Sequence, residues 1–365
     1  MTRFQSQLLR AGRMQAEVLR FARTGSCALG LMLFSAGVLS QTGSAPIMIE
    51  RTSTETKVAP PSSEASDGQV LRQIQEAART LNYVGVFAFQ QGERFESSRI
   101  THSFDGKNEK ERIEVLDGSP REYLRLNNEV QYLIPDRKLV LQERQRGDRF
   151  PGLLLNNAQS FEKNYSVRLA PEPLRIAGRQ CRGIEISPRD QHRFGYRLCA
   201  DADTHLLLKA QMVGQDGVVI EQVAFTQVSI GTEITDAMLA PTWSTADWKT
   251  VRAQHQKVDL FAQGWRIPTP PGYVATTQVE RNFSNDKRVN QLVLSDGLAT
   301  ISIFIEPYLS ERSEYGPQGA ARSGSVNIFG IQVANFWLTV LGEVPAATLE
   351  QLAQSIQYVS TNSAR

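Results

Sequence analysis

The sequence predicts an α+β protein, made mostly of antiparallel β-strands, with a large and a small domain. Short strand-like runs follow one another from residue 83 to residue 144 and are separated by turn residues such as Asp105-Gly106 and Pro135-Asp136. A second series of strand-like runs begins near residue 273 and is followed by an amphipathic helix at 346–357. Strands that succeed one another without intervening helices favour an antiparallel sheet over a parallel α/β sheet, so a nucleotide-binding fold is not expected.

The composition is that of a soluble globular protein. The chain has 365 residues, of which 41% are hydrophobic and 21% are charged, and its formal net charge is +2. This length leaves room for two ordinary domains and a leader. Because the chain is nearly neutral, its charge gives no reason to expect nucleic acid as a partner.

Residues 1–45 have the pattern of a cleavable signal peptide. Five arginines between residues 3 and 23 precede an apolar run from Cys27 to Leu39. A run of about 13 residues suits the apolar region of a signal peptide and is short for a membrane span, although an uncleaved interfacial anchor is the alternative. Residues 46–66 are rich in Ser, Thr and Pro, so we expect a flexible linker there. The leader therefore predicts export to the periplasm.

The large domain is expected to cover residues 67–244. It begins with an apolar stripe at helical spacing, formed by Val70, Leu71, Ile74, Ala77, Ala78 and Leu81. Strands are predicted at 83–89, 95–104, 109–116, 121–127, 130–134 and 138–144. Two further strands, at 179–186 and 193–200, enclose the turn residues Pro188-Arg-Asp190 and predict a hairpin. A second hairpin is expected to follow, up to Gly231.

The register of this hairpin predicts a disulfide bond. If Ser187 pairs with Arg193, then Cys181 lies directly opposite Cys199. Directly opposed strand residues have Cα atoms within the distance that a disulfide spans. A bond here would close a loop of about 18 residues and stabilise the fold by roughly 3 kcal/mol. Two buried free thiols are the alternative, which an oxidising compartment disfavours.

An apolar segment interrupts the strands of the large domain. Three consecutive leucines, Leu153, Leu154 and Leu155, follow Phe150-Pro-Gly, and Phe161 ends the segment. Neither a half-exposed strand nor an amphipathic helix hides three successive leucines on one face. The segment is interpreted as a lid or plug over a lipid-binding groove, or as a permanent cap on the core.

Basic residues precede this segment. Arg144, Arg146 and Arg149 lie where the mouth of such a groove is expected. Guanidinium groups suit both lipid phosphates and acidic side chains, so these arginines are candidate ligand contacts. Exposed loop charges that serve solubility are the alternative.

The small domain is expected at 259–360, after a polar interdomain connector at 245–258. Strands are predicted at 273–283, 289–295, 299–306 and 332–341, and a helix that covers one face of their sheet at 346–357. The glycine-rich stretch between Glu311 and Gly330 has no assigned structure.

Segments of both domains resemble the MucB/RseB family of periplasmic regulators of the envelope-stress sigma factor. The resembling segments are Leu116–Arg125, Arg175–Arg179, Pro188–Leu198, Phe225–Gly231, Leu294–Glu306 and Val340–Pro345. The resemblance runs from about residue 70 to residue 358 and includes both domains in order. It implies a large domain like the lipoprotein carriers LolA and LolB, in which a curved, unclosed half-barrel is plugged by helices and has a concave groove.

The resemblance also implies a function. A protein of this family binds the periplasmic region of a MucA/RseA-like membrane anti-sigma factor and shields it from regulated proteolysis until a lipid or lipopolysaccharide signal releases it. Trp265, Phe304 and Trp337 are partner-binding candidates, with core packing as the alternative. A periplasmic lipid or lipoprotein carrier that uses the same half-barrel is the second hypothesis. The sequence leaves open whether the chain forms a homodimer.

Motifs of enzymes and metal sites are missing from the sequence. It contains no G-x-S-x-G, H-E-x-x-H, C-x-x-C or Walker motif, and its four histidines are far apart in sequence. We therefore expect no catalytic activity, no cofactor and no metal.

Overall fold

The computed structural model describes residues 64–144, 158–252, 255–283, 287–308 and 318–360. The predicted signal peptide at 1–45 and the leucines Leu153, Leu154 and Leu155 lie outside the described residues. In the described part of the chain, no helix is both long enough and apolar enough to cross a membrane.

The large domain is built on a sheet of twelve strands. Its strands are β1 Tyr83–Gln91, β2 Arg94–Phe104, β3 Glu109–Val115, β4 Arg121–Leu126, β5 Glu129–Ile134, β6 Leu139–Arg144, β7 Tyr165–Ile176, β8 Arg179–Pro188, β9 Gly195–Asp201, β10 Leu207–Val213, β11 Val219–Ile230 and β12 Lys249–Arg252. They are arranged in the order β12-β6-β5-β4-β3-β2-β1-β11-β10-β9-β8-β7. Every neighbouring pair is antiparallel except β12 and β6, which are parallel. The predicted antiparallel meander is therefore confirmed.

The sheet is curved and unclosed. Cα atoms of β7 and β11 approach within 8 Å, although three strands separate them in the sheet. In a flat sheet, four strand spacings would hold them roughly 19 Å apart. The terminal strands β12 and β7 do not pair with each other. This is the unclosed, barrel-like sheet that the family resemblance implies.

Within the described residues, the core of this sheet is accompanied by helices α1 Glu64–Thr80 and α2 Ala158–Asn164. The predicted stripe of α1 is buried and packs into the core of the large domain, with Leu71 and Ile74 at its centre. The same core contains Phe87, Ile100 and Tyr165 from the sheet.

The small domain contains a second sheet of seven strands and a covering helix. Its strands are β13 His255–Lys257, β15 Val274–Phe283, β16 Lys287–Ser295, β17 Thr300–Pro307, β18 Gly319–Ser323, β19 Val326–Val333 and β20 Phe336–Gly342. Their order is β13-β15-β16-β17-β20-β19-β18. Helix α4, Ala346–Ser355, buries Leu349 and Leu352 in the core on one face. A separate pair of short strands, β14 Trp265–Arg266 and β21 Gln357–Tyr358, joins the two ends of the domain.

The segment after β11 crosses the outside of the large sheet before it reaches the small domain. It contains the short helix α3, Asp236–Leu239, and then Thr242, whose backbone N–H and hydroxyl both donate to the buried Glu122 carboxylate. Arg112 donates to the same carboxylate at 2.5 Å. The predicted connector at 245–258 contains two strands, β12 in the large sheet and β13 in the small one.

The predicted register of the cysteine hairpin is wrong by two residues. Cys181 pairs with Asp201, and Cys199 pairs with Gly183. The last pair of this ladder is Ile186 with Tyr196, so the connecting loop is longer than the predicted turn. Arg193, predicted to begin the second strand, lies in this loop and is buried.

Two other stretches differ from the sequence prediction. The unassigned region between Glu311 and Gly330 contains β18 and the beginning of β19, paired as a hairpin. The single strand predicted at 332–341 is divided between β19 and β20, because the chain turns at Ala334, whose φ is 51°.

Candidate functional site at the domain junction

The turn between β16 and β17 carries the central contact between the two domains. The Oδ1 atom of Asp296 accepts hydrogen bonds from the backbone N–H groups of Leu298 and Ala299, at 2.9 and 2.7 Å. Gly297 adopts a φ of 103°, which glycine reaches without strain. An Asp-Gly pair in this arrangement makes a compact turn. We call residues 296–298 the latch turn.

The latch turn inserts an apolar side chain into the large domain. Leu298 is 5% exposed and belongs to the hydrophobic core cluster of the large domain, although the chain reaches it only in the small domain. The cluster includes Phe161, Tyr165 and Phe194. One leucine of the small domain is therefore part of the core of the large one.

A buried ion pair accompanies this leucine. The Oδ2 atom of Asp296 accepts a hydrogen bond from the Tyr165 hydroxyl at 2.8 Å and lies 3.4 Å from Nε of Arg193. The side chains of Asp296 and Arg193 are both completely shielded from solvent. Burial, together with the charge of Asp296, raises the pKa of Tyr165 well above its usual value, so the phenol keeps the proton that it donates.

Arg193 is enclosed by residues of both domains. Its Nε lies 3.2 Å from Oδ1 of Asp190, and its Nη2 donates to the carbonyl of Pro271 at 2.5 Å. The rings of Tyr165 and Tyr273 lie 5.5 and 5.0 Å from its guanidinium carbon, within the range of cation–π attraction. The arginine thus joins the β8–β9 loop to the beginning of the small domain.

The loop before β15 fits closely against α2. Gly272 has a φ of 76°, and a Cβ at this position would overlap the Asn164 side chain. The Nδ2 atom of Asn164 donates to the Gly272 carbonyl at 3.3 Å. The Tyr273 hydroxyl donates to the His192 carbonyl at the same distance. Glycine is required here by both the backbone conformation and the space.

Two further polar contacts join the domains. Nε2 of Gln91 donates to the hydroxyl of Ser325 at 2.9 Å and to Glu221 at 2.8 Å. Nη1 of Arg281 donates to Glu143, at 3.4 Å. These contacts lie on strands β1, β11 and β6 of the large sheet, far from the latch turn in sequence.

A cluster of charged residues is buried inside the large domain. His102 is fully buried, stacks on Tyr83 with the ring centroids 4.7 Å apart, and places Nδ1 2.8 Å from the Leu81 carbonyl and Nε2 3.1 Å from Glu109. Arg125 donates to both Glu109 and Glu111. Burial alone would raise the pKa of Glu109, but hydrogen bonds and charge from His102 and Arg125 outweigh it, so the pKa is lowered. The cluster fixes the end of α1 against β2 and β3.

The predicted disulfide between Cys181 and Cys199 is present. The Cα atoms are 5.5 Å apart and both residues are buried in the large-domain core. Because of the register slip, the two cysteines are diagonal neighbours on adjacent strands and not directly opposed.

The predicted groove residues are only partly described. Phe161 is 3% exposed and stacks on Tyr165 with the ring centroids 5.2 Å apart, so it lies in the core beside the latch turn. Arg146, Arg149 and the three leucines at 153–155 lie outside the described residues. The backbone of Arg144 ends β6, but its side chain is not described. The lipid-binding role of these residues stays a prediction.

The three partner-binding candidates are buried within the small domain. Trp265 contacts Phe336 and Tyr358 in the core on the α4 side of the sheet. Phe304 belongs to a second cluster on the opposite face of β17. Trp337 is 6% exposed and its ring centroid lies 6.3 Å from that of Tyr308. Core packing accounts for Trp265, and a role in partner binding stays a prediction for all three.

Sequence reasoning did not single out Arg193 and Asp296 as functional. Both lie beside turn residues, where charged side chains are usually solvated. The available signal was their position within two segments that carry the family resemblance, Pro188–Leu198 and Leu294–Glu306. These segments are about one hundred residues apart in sequence, and the structure brings them together at the junction.

The fold and the junction define a two-domain protein in which a curved, unclosed sheet is joined through a buried ion pair to a smaller sheet with one covering helix. The family model of the MucB/RseB N-terminal domain matches residues 66–243, and that of the MucB/RseB C-terminal domain matches residues 260–357. The chain belongs to the MucB/RseB family.

Named relatives are similar over nearly their whole length. The chain is 29% identical over 313 residues to the sigma factor AlgU regulatory protein MucB of Pseudomonas aeruginosa, covering 82% of this chain and 94% of the relative. It is 25% identical over 306 residues to the sigma-E factor regulatory protein RseB of Salmonella typhimurium. This match covers 81% of this chain and 92% of the relative. The names of these relatives describe regulators of a sigma factor.

Solved structures of the family are similar to this one in fold. The crystal structure of MucB in complex with MucA(peri) has a TM-score of 0.63 and 28% identity, and the match covers 81% of this chain and all of that one. The complex structure of Pseudomonas aeruginosa MucA/MucB has a TM-score of 0.64 and 27% identity. This match covers 80% of this chain and 99% of that one.

Proposed function

We propose that this protein is a periplasmic negative regulator of an envelope-stress sigma factor, which acts by binding the periplasmic region of a membrane anti-sigma factor. The observation that carries the proposal is the match of both domains, in order, to a family whose member MucB is solved in complex with MucA(peri). A carrier of lipids needs only the large domain. Here the small domain is joined to it through buried contacts.

Binding protects the anti-sigma factor from the first cleavage of regulated proteolysis. An extended peptide is a protease substrate because its backbone is accessible, and a bound peptide is not. A lipid or lipopolysaccharide signal then weakens the complex. By thermodynamic linkage, a lipid that weakens peptide binding tenfold is itself bound tenfold more weakly in the presence of the peptide, about 1.4 kcal/mol of coupling.

Two features support a periplasmic location. The predicted signal peptide would export the chain, and the disulfide between Cys181 and Cys199 suits an oxidising compartment. Thiol systems in the cytoplasm reduce disulfides, so disulfides persist mainly outside it.

The test is a titration of the predicted mature chain, residues 46–365, against a fluorescent peptide of the anti-sigma periplasmic region from the same genome. Fluorescence anisotropy is measured with and without lipopolysaccharide. Binding at micromolar concentration or tighter, weakened by lipopolysaccharide, is the expected result. Binding of lipopolysaccharide without any binding of the peptide would favour the carrier of lipids or lipoproteins instead.

A further inference from the structure

We propose that the latch turn, Asp296–Leu298, is the element through which an apolar ligand in the large domain controls partner binding. This inference rests on the proposed function and names its regulatory device. When the latch turn is docked, the two domains form one continuous surface that binds the partner. When it is undocked, the domains separate and the partner is bound more weakly.

The position of Leu298 explains why a lipid would compete with docking of the latch turn. Leu298 occupies space within the large-domain core beside Phe161 and Tyr165. Protein cores are close-packed, so an acyl chain that enters this part of the core needs the volume that Leu298 fills. Burial of an acyl chain is favourable by the same apolar transfer that holds the leucine. Ligand entry and docking of the latch turn are therefore mutually exclusive.

The buried ion pair of Arg193 with Asp296 limits the stability of the docked state. Arg193 has no exposed surface, yet neither its Nε nor its Nη1 makes a hydrogen bond of good geometry within the described part of the chain. The two carboxylates lie at 3.2 and 3.4 Å from Nε, in ion-pair range only. A buried arginine with unsatisfied donors gains hydration when the interface opens, which offsets part of the lost contact.

A switch of this kind requires two states of similar free energy. A ligand shifts an equilibrium only by its difference in affinity for the two states. Other contacts described between the domains are polar, such as those of Gln91 with Ser325, of Asn164 with Gly272 and of Arg281 with Glu143. Interfaces of this polar type permit relative domain motion. The latch turn supplies the apolar contact that decides the balance.

The test measures the separation of the domains directly. Spin labels are attached at Val218→Cys in the large domain and Val274→Cys in the small one, because both positions are exposed, at 61% and 59%. Pulsed electron paramagnetic resonance gives the distance distribution with and without lipopolysaccharide. Three chains are compared: the labelled protein, its Leu298→Ser variant, and its Leu116→Ser variant as the matched control. Leu116 is a large-domain leucine that is 40% exposed.

The labelled protein and the Leu116→Ser control are expected to give a narrow distribution that becomes longer with lipopolysaccharide, and a peptide affinity that falls about tenfold. The Leu298→Ser variant is expected to show the longer distance without lipopolysaccharide. Its peptide affinity should already be about tenfold lower and should change less than about twofold on adding lipopolysaccharide. A Leu298→Ser variant that stays narrow and retains the full lipopolysaccharide effect would overturn the proposal.

Two further results are covered: a Leu298→Ser variant that does not fold, and a parent protein that binds no peptide. If Leu298→Ser fails to fold by near-ultraviolet circular dichroism, Asp296→Asn replaces it and is expected to show the same longer distance. This change conserves size, removes the charge that faces Arg193 and replaces the acceptor of the Tyr165 hydroxyl by an amide N–H. If the parent protein binds no peptide, the proposed function fails, and the latch is judged by distance alone. Lipopolysaccharide must then lengthen the distance in the parent and leave Leu298→Ser unchanged, and any other result overturns the latch.

Discussion

The Nε atom of Arg193, in the large domain, lies 3.4 Å from the Oδ2 atom of Asp296, in the small domain, and neither side chain is exposed to solvent. Removing Arg193 leaves the buried Asp296 carboxylate without a cationic partner, which typically costs about 3–5 kcal/mol. Removing Asp296 should cost less, because Asp190 lies 3.2 Å from the same Nε atom of Arg193. We predict that Arg193→Met and Asp296→Asn each lower the free energy of unfolding, and that the double variant loses less than the sum.

Urea denaturation of the four proteins gives the coupling energy from a double-mutant cycle. Asparagine conserves the Oδ1 acceptor that holds the turn, so the loss in Asp296→Asn comes from the contacts of Oδ2 with Arg193 and with the Tyr165 hydroxyl. Additive losses within about 0.5 kcal/mol would show that the two residues act independently.

The disulfide is predicted to stabilise the large domain. It links residues 18 apart in sequence, and the chain-entropy model gives about 3 kcal/mol for a loop of this length. Replacement of Cys181 and Cys199 by alanine should lower the free energy of unfolding by about that amount, as measured by chemical denaturation. A reductant should reproduce the loss in the parent protein and have no effect on the double variant. Equal stability of parent and variant would contradict this prediction.

The strands of the large domain could be predicted from sequence because their signals are local. Turn pairs such as Asp105-Gly106 lie between runs of alternating apolar residues, and the structure ends its strands near them. The sequence pattern predicts neither β12, which lies in the expected connector, nor β7. Strand β7 contains Pro171 and Pro173 and lies at the edge of the sheet, where proline is tolerated.

The junction could not be predicted, because its geometry depends on contacts between distant segments. The two-residue slip of the cysteine hairpin leaves Arg193 in a loop, where it meets Asp296 and Pro271 of the small domain. A local pattern favours the shorter turn, and tertiary contacts select the longer loop. The disulfide was nevertheless predicted correctly, since a diagonal pair of cysteines also lies within bonding distance.

Trp265 is predicted to act through stability. It is 3% exposed and packs against Phe336 and Tyr358, so Trp265→Ala should lower the free energy of unfolding by about 3–5 kcal/mol. Phe261→Ala is the control, because Phe261 is 67% exposed and contacts only the Arg266 guanidinium among the ring contacts described for it. Its loss should be below about 1 kcal/mol. Similar losses in thermal or chemical denaturation would show that Trp265 does not support the core.

The partly buried carboxylate of Glu109 is predicted to make stability depend on acidic pH. Its pKa is lower in the folded protein than the ordinary value of 4.5, because His102 and Arg125 favour the charged form despite burial. The folded state therefore binds fewer protons than the unfolded state at mildly acidic pH. This contribution to stability is present above the unfolded-state pKa of 4.5 and is lost as the pH falls through the lowered pKa of the folded state.

The substitution Glu109→Gln should flatten that part of the pH dependence in denaturation experiments between neutral and acidic pH. Glu350→Gln is the matched control, since Glu350 is exposed on α4 and should leave the acid profile unchanged. Parallel acid profiles for Glu109→Gln and the parent protein would contradict the assigned role of the buried cluster.

The most direct test of the regulatory function is the rate at which the purified periplasmic region of the anti-sigma factor is cleaved by its first protease. We predict that the mature chain, residues 46–365, slows this cleavage at least about tenfold when its concentration is at least about ten times its Kd for the peptide. At that concentration most of the peptide is bound. Lipopolysaccharide should restore the rate. Cleavage at the same rate with and without the protein would contradict its role as a protector of the anti-sigma factor.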